Sequence, residues 1–132
     1  MNIEFKNPFG FHLEVLETDD HVPSLRVSVL ITVAQFQHSC QYEGTFWIEC
    51  AVWDRFVRAL HTPSGQMASL HDMSDNFVLS VQRANEALNL TWVFAKDDIG
   101  GNRYMKMSFT STIDEDILAK IRQQFDDFPV WW

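Results

Sequence analysis

Cysteine is scarce: the 132-residue chain holds two, Cys40 and Cys50. A disulfide framework is thereby excluded, one bridge between the two being the most that the sequence permits. Both are expected as free thiols in a reducing compartment. Glycine and proline are also few, 5 and 4. This excludes collagen-like and low-complexity chains and leaves no linker at which to divide the sequence, so one domain over residues 1–132 is expected. No apolar run approaches the ~18 residues of a membrane span. The opening MNIEFKNPFGFHLEV lacks the basic start and apolar stretch of a signal peptide, so the expected location is the cytoplasm. Cations are outnumbered as well, with 10 Lys+Arg against 18 Asp+Glu and a formal net charge of −8. Like charge disfavours nucleic acid and anionic membrane as partners. It accommodates a basic protein, and it also serves solubility.

Chemistry-bearing motifs are missing too. No G-x-S-x-G elbow, G-x-x-x-x-G-K-[ST] loop or G-x-G-x-x-G turn occurs. Gly100-Gly101 reads as a turn pair. Among five histidines none pairs with another at i, i+4, and the one close His/Cys pair is His38 and Cys40. On a strand these two share a face, but a metal site needs further ligands, and none can be named. The carboxylate pairs Asp19-Asp20, Asp97-Asp98 and Asp126-Asp127 fall in expected loops or at a helix end, where solvated charge is the ordinary explanation. The expectation is no catalytic residue, no cofactor and no metal.

What the chain has in quantity is aromatic residues, 11 Phe and 5 Trp, which points to an aromatic-rich core. The organising stretch is YEGTFWIECAVWDRFVRAL, Tyr42 to Leu60. Tyr42, Phe46 and Ile48 recur at period two, with Gly44 between them. Trp53, Phe56, Val57 and Leu60 then follow the i, i+3, i+4, i+7 pattern of one helical face. A strand running straight into a helix over 49–61 is expected, stopped at Thr62-Pro63-Ser64-Gly65.

Alternation marks the strands. Residues 2–6 suit a short edge strand. Phe11, Leu13 and Val15 share an inward face, as do Leu25, Val27, Val29, Ile31 and Val33. Leu30, Ala34 and Phe36 on the alternate side suggest cover on both faces, with His38-Ser39 as the turn into the strand through Tyr42. Residues 66–76 are ambiguous: Met67, Leu70 and Met73 are helix-spaced, but a loop or a brief strand suits the short polar segment equally. Phe77–Val81, Leu88–Phe94 and Met105–Phe109 each alternate, with KDDIGGN as a hairpin loop. Thr112-Ile113-Asp114-Glu115 has capping-box form and opens a helix over 113–126 with the stripe Ile113, Ile117, Leu118, Ile121, Phe125. The fold class is therefore α+β: a mostly antiparallel meander sheet of about six to eight strands and two main helices, with no internal repeat visible.

Two surfaces invite a partner. The C-terminal pair Trp131 and Trp132 either folds back on the sheet, because exposed tryptophan is costly, or forms a hot spot for a partner or for self-association. The acidic loops Asp19-Asp20 and Asp97-Asp98, with Asp72 and Asp75, suit docking on a basic protein.

The E-G-x-F strand (Glu43, Gly44, Phe46) entering a W-x-x-F-V-x-x-L helix (Trp53, Phe56, Leu60), followed by a meander and a final helix, resembles the layout of small bacterial immunity proteins of the WapI-like type. These accompany polymorphic or contact-dependent toxins. The chain departs from them in having no counterpart of their aspartate-asparagine-tryptophan segment. The resemblance implies a non-enzymatic cytoplasmic protein that neutralises a toxin domain by binding it, with no catalytic residue to carry over. Beside it stand a self-associating domain, with a homodimer as its product, and a small enzyme without a recognisable motif.

Overall fold

The computed structural model describes residues 2–62 and 67–132. Alternation of buried and open positions produces two four-stranded antiparallel sheets rather than one continuous sheet. The first has the order β1 (Asn2–Phe5), β2 (Gly10–Asp19), β3 (Ser24–Gln35), β4 (His38–Glu49). Helix α1 (Cys50–Leu60) follows with no intervening loop. The second sheet, β5 (Ala68–His71), β6 (Phe77–Ala84), β7 (Ala87–Asp97) and β8 (Tyr104–Ile113), is followed by α2 (Glu115–Asp126). The α+β class and both helices thus stand as the periodicity indicates.

The two halves are built alike, although no internal repeat is visible in the sequence. The buried stripe of α1 is Trp53, Phe56 and Leu60, and that of α2 is Leu118, Ile121 and Phe125, each 65 residues further along. Ile3 and Phe5 on β1 answer to Ala68 and Leu70 on β5 at the same offset. Leu25 and Val27 answer to Leu90 and Trp92, and Ile48 to Ile113. The contacts are reciprocal as well: α1 packs on β5, the first strand of the second half, and α2 on β1, the first strand of the first. The repeat escapes a reading of identities because only apolar character is kept, with residue size free to vary.

One core joins the halves. Tyr42 on β4 stacks on Phe77 of β6 at 5.5 Å between ring centroids and lies 5.0 Å from Phe94 of β7. Trp53 of α1 meets Phe125 of α2 at 5.3 Å and Phe128 at 4.9 Å. These offset and tilted arrangements suit the ring quadrupoles. Trp53, Phe56, Leu60 and Ile121 are buried as expected, whereas Ile117 and Val57 are only partly so.

Local details correct the sequence reading at several points. The β3–β4 turn is Phe36-Gln37, both at positive φ (55° and 63°), and β4 already begins at His38. Phe36, assigned to a covered strand, is 88% exposed at the tip of this two-residue turn, and Ala34 beside it is open. A two-residue turn of type I′ has positive φ at both positions; with no Asn-Gly or Asp-Gly to announce it, the turn was hidden. The cap of α2 is Asp114, whose carboxylate accepts from the Ile117 amide at 2.8 Å, not Thr112. Thr112 is still in β8 and its hydroxyl donates to Asn89. Buried Ile113 before the cap and buried Leu118 in the helix take the positions of a hydrophobic staple. The ambiguous segment contains β5 at Ala68–His71. Of the expected stop to α1, Pro63-Ser64-Gly65 lies outside the described residues; the helix is capped by His61.

Candidate functional site

The aromatic core is open where β4 faces β7 and β8. A groove of about 430 Å³ opens there, walled by Tyr42, Phe46, Phe77 and Phe94, with Met105 and Met107 along β8. Each wall follows from strand alternation. Tyr42, Gly44 and Phe46 share the inward face of β4, and Phe77 and Phe94 are directly paired across β6 and β7. Glu43 and Lys96 are the charged residues at its rim.

Asp72 stands at its base. Among the described residues it is the one charged residue that is buried, at 4% exposure, and it lines the groove. The β5–β6 turn explains the burial. Ala68, Leu70 and Asp72 fall on the same inward alternation. One carboxylate oxygen of Asp72, Oδ1, accepts from the backbone amides of Asn76 at 2.8 Å and Phe77 at 2.9 Å. The turn is fastened to the first sheet as the Met73 amide donates to the Trp47 carbonyl at 2.9 Å. The other oxygen, Oδ2, has no hydrogen-bond partner among the described residues and is not sealed from solvent. No ion pair to Asp72 exists among those residues either. The sequence reading placed Asp72 with the loop acids; its inward period was the signal that it belongs elsewhere.

Tyr42 answers to this carboxylate. Burial, and then the charge of Asp72, push its phenol from 10.0 up to about 12, so it is a neutral hydroxyl at ordinary pH. Its ring lies across Gly44, where a β-carbon would collide with the hydroxyl. Glycine at 44 is therefore a condition of Tyr42's position.

The residues singled out from sequence are dispersed. Asp19 ends β2, and Asp19 and Asp20 are exposed beside the turn into β3. Asp97 ends β7, and Asp97 and Asp98 are exposed at the β7–β8 loop, where the Asp98 amide bonds the Arg103 carbonyl. Asp19 pairs with Ser24, which pairs with Glu49 at the far end of β4, whereas Lys96 shares the groove with Gln41 near the other end. Eight residues of strand separate those two levels, roughly 26 Å at ~3.3 Å per residue. The two acidic pairs do not form one patch. Trp132 folds back: its indole N–H donates to Asp54 at 3.0 Å and its ring meets Trp53 edge-on at 6.3 Å. Trp131 remains about half exposed, at 47%.

His38 and Cys40 sit on the open end of β4, both exposed. Among the described residues no group of three or more His, Cys, Asp or Glu is placed to hold a metal ion, and no helix is long and apolar enough to cross a membrane. No protein-family model, curated protein or solved structure matches the chain.

Proposed function

We propose that this protein acts by binding a basic protein, and that the partner is a bacterial toxin domain which it neutralises. The observation that carries the reading is the state of its acids. With a net charge of −8, the only arginine ion pairs among the described residues are Arg26 with Glu17 and Arg83 with Glu115. Asp19, Asp20, Asp97 and Asp98 stay exposed and outside any ion pair there. Unpaired surface charge of one sign steers a partner of the other sign and sets the encounter rate. That the partner is a toxin domain rests on the resemblance of the Glu43-Gly44-x-Phe46 strand and the Trp53, Phe56, Leu60 helix to WapI-like immunity proteins.

The test is to co-express this chain with the protein encoded by the neighbouring gene, expected to carry a toxin domain, and then to measure association kinetics. Protection of the cell is expected, with an association rate that falls as the Debye length shrinks from ~10 Å at 0.1 M salt to ~3 Å at 1 M. Because the two acidic pairs lie at different ends, neutralising Asp19 and Asp20 to asparagine in one variant, and Asp97 and Asp98 in another, assigns the end that faces the partner. Absence of binding at micromolar concentration, or of protection, refutes the reading. Self-association is a second reading, favoured by the edge strand β8, where Tyr104 and Met105 are 68% and 57% exposed. Sedimentation as a dimer, with dissociation on Tyr104→Lys, would support it.

A further inference from the structure

The repeat explains why the groove is open. In the reciprocal position, Phe9, 2% exposed, fills the space against Phe109 of β8, edge to face at 5.9 Å. Phe109 answers to Gly44 at the 65-residue offset. The connection that answers to the Phe9 turn, residues 72–76 between β5 and β6, holds no aromatic residue. Both rings of one half are thus absent from the other. The space they leave is walled by aromatic faces and carries at its base a carboxylate with one oxygen unclaimed.

That combination has a definite preference. An aromatic face attracts a cation through its quadrupole, and a largely buried carboxylate that makes no ion pair among the described residues gains most from a cation that also donates hydrogen bonds. Of the charged residues lining the groove two, Asp72 and Glu43, are acids and one, Lys96, is a cation, so the balance disfavours an anion. A neutral apolar group would leave Oδ2 without a partner, at the cost of covering a charge. We propose that the groove receives an arginine or lysine side chain of a protein partner, with Asp72 as its anchor and Tyr42, Phe46 and Phe94 as its walls. This rests on the reading that the partner is a basic protein, and names where on this chain it is gripped. A partner side chain is favoured over a free amine because the groove is an open surface feature between the sheets, beside the exposed Asp97-Asp98 loop.

The experiment titrates the isotopically labelled chain with acetyl-arginine amide and, separately, with acetyl-citrulline amide, its neutral counterpart. It reads the backbone amides of Asn76 and Phe77, which donate to Asp72. Saturable shifts of these amides are expected with the arginine derivative, and binding at least ~10-fold weaker with citrulline, the factor expected for a lost charge-assisted hydrogen bond. Asp72→Asn, which keeps an oxygen for the two amides while removing the charge, should reproduce that loss. Its amide spectrum reports whether it is folded, and the citrulline control tests the charge without any substitution. Equal shifts with arginine and citrulline would overturn the proposal. So would wild-type affinity in a folded variant, or shifts confined to the Asp19-Asp20 and Asp97-Asp98 loops. Because this titration uses the chain alone, it separates the two ideas. Toxin protection without arginine binding removes the groove, and arginine binding without protection removes the toxin.

Discussion

Replacing Ile121 by alanine tests the packing of the second helix against a control on the same helix. Ile121 is fully buried, and Ile117, one turn earlier, is only partly so. The substitution deletes three carbons. At ~0.8 kcal/mol each the transfer term is ~2.4 kcal/mol, and the cavity left in the closed core brings the total to ~3–4 kcal/mol. Ile117→Ala loses roughly half the transfer term, gains a few tenths of a kcal/mol from alanine's helix propensity and opens no closed cavity, for ~1 kcal/mol. Urea unfolding reads both. With a slope of about 2 kcal/mol per molar, Ile121→Ala should lower the midpoint by about 1.5 M and Ile117→Ala by about 0.5 M, the slope itself unchanged. Equal midpoints for the two variants, or a cost below ~1 kcal/mol at Ile121, would refute the assignment of the inward face of α2.

The indole N–H of Trp92 is buried without an acceptor. Trp92→Phe removes that orphan and should cost under ~1.5 kcal/mol by thermal unfolding, against ~3–5 kcal/mol for Trp92→Ala. Asp114→Ala removes the cap of α2 and should cost about 1 kcal/mol, visible in the same assay. In Tyr104→Phe the only remaining phenol is Tyr42, and ultraviolet titration should place it near 12, with Asp72→Asn bringing it down toward 10.0. The sign for stability follows: the native phenol keeps its proton while the unfolded one has lost it, so this group's contribution is present below pH ~10 and is lost as pH rises to ~12. A thiol reagent should modify exposed Cys40 at once and Cys50 only on unfolding, since burial and then the charge of Asp54 push the Cys50 thiol upward.

Much of the fold was legible because alternation at period two and the i, i+3, i+4 stripe are imposed by burial itself. Phe11-Leu13, Phe77-Leu79 and Trp53-Phe56-Leu60 announce their faces directly. Turns were less legible where they lack glycine or asparagine, as at Phe36-Gln37. The duplication was hidden because equivalent positions exchange size freely, valine for tryptophan at 27 and 92. The groove was hidden for a related reason. It exists through rings that one half has and the other lacks, and an absence at Gly44 and in the 72–76 turn is visible only once the halves are compared. Asp72 could be found in principle from its place after Ala68 and Leu70, but the uncertain nature of that segment left it among the solvated acids.

The exchange of helices between the halves has a consequence for how the chain unfolds. Each half lends its helix to the first strand of the other, as α1 does to β5 and α2 to β1, and the Glu4 amide is bonded to the Gln124 side chain at 3.1 Å across 120 residues of sequence. Neither half can therefore loosen alone: detaching α2 uncovers β1, and detaching α1 uncovers β5. Two modules that look separable on a topology diagram are locked like clasped hands, and slow amide exchange should disappear from both sheets together, in one transition.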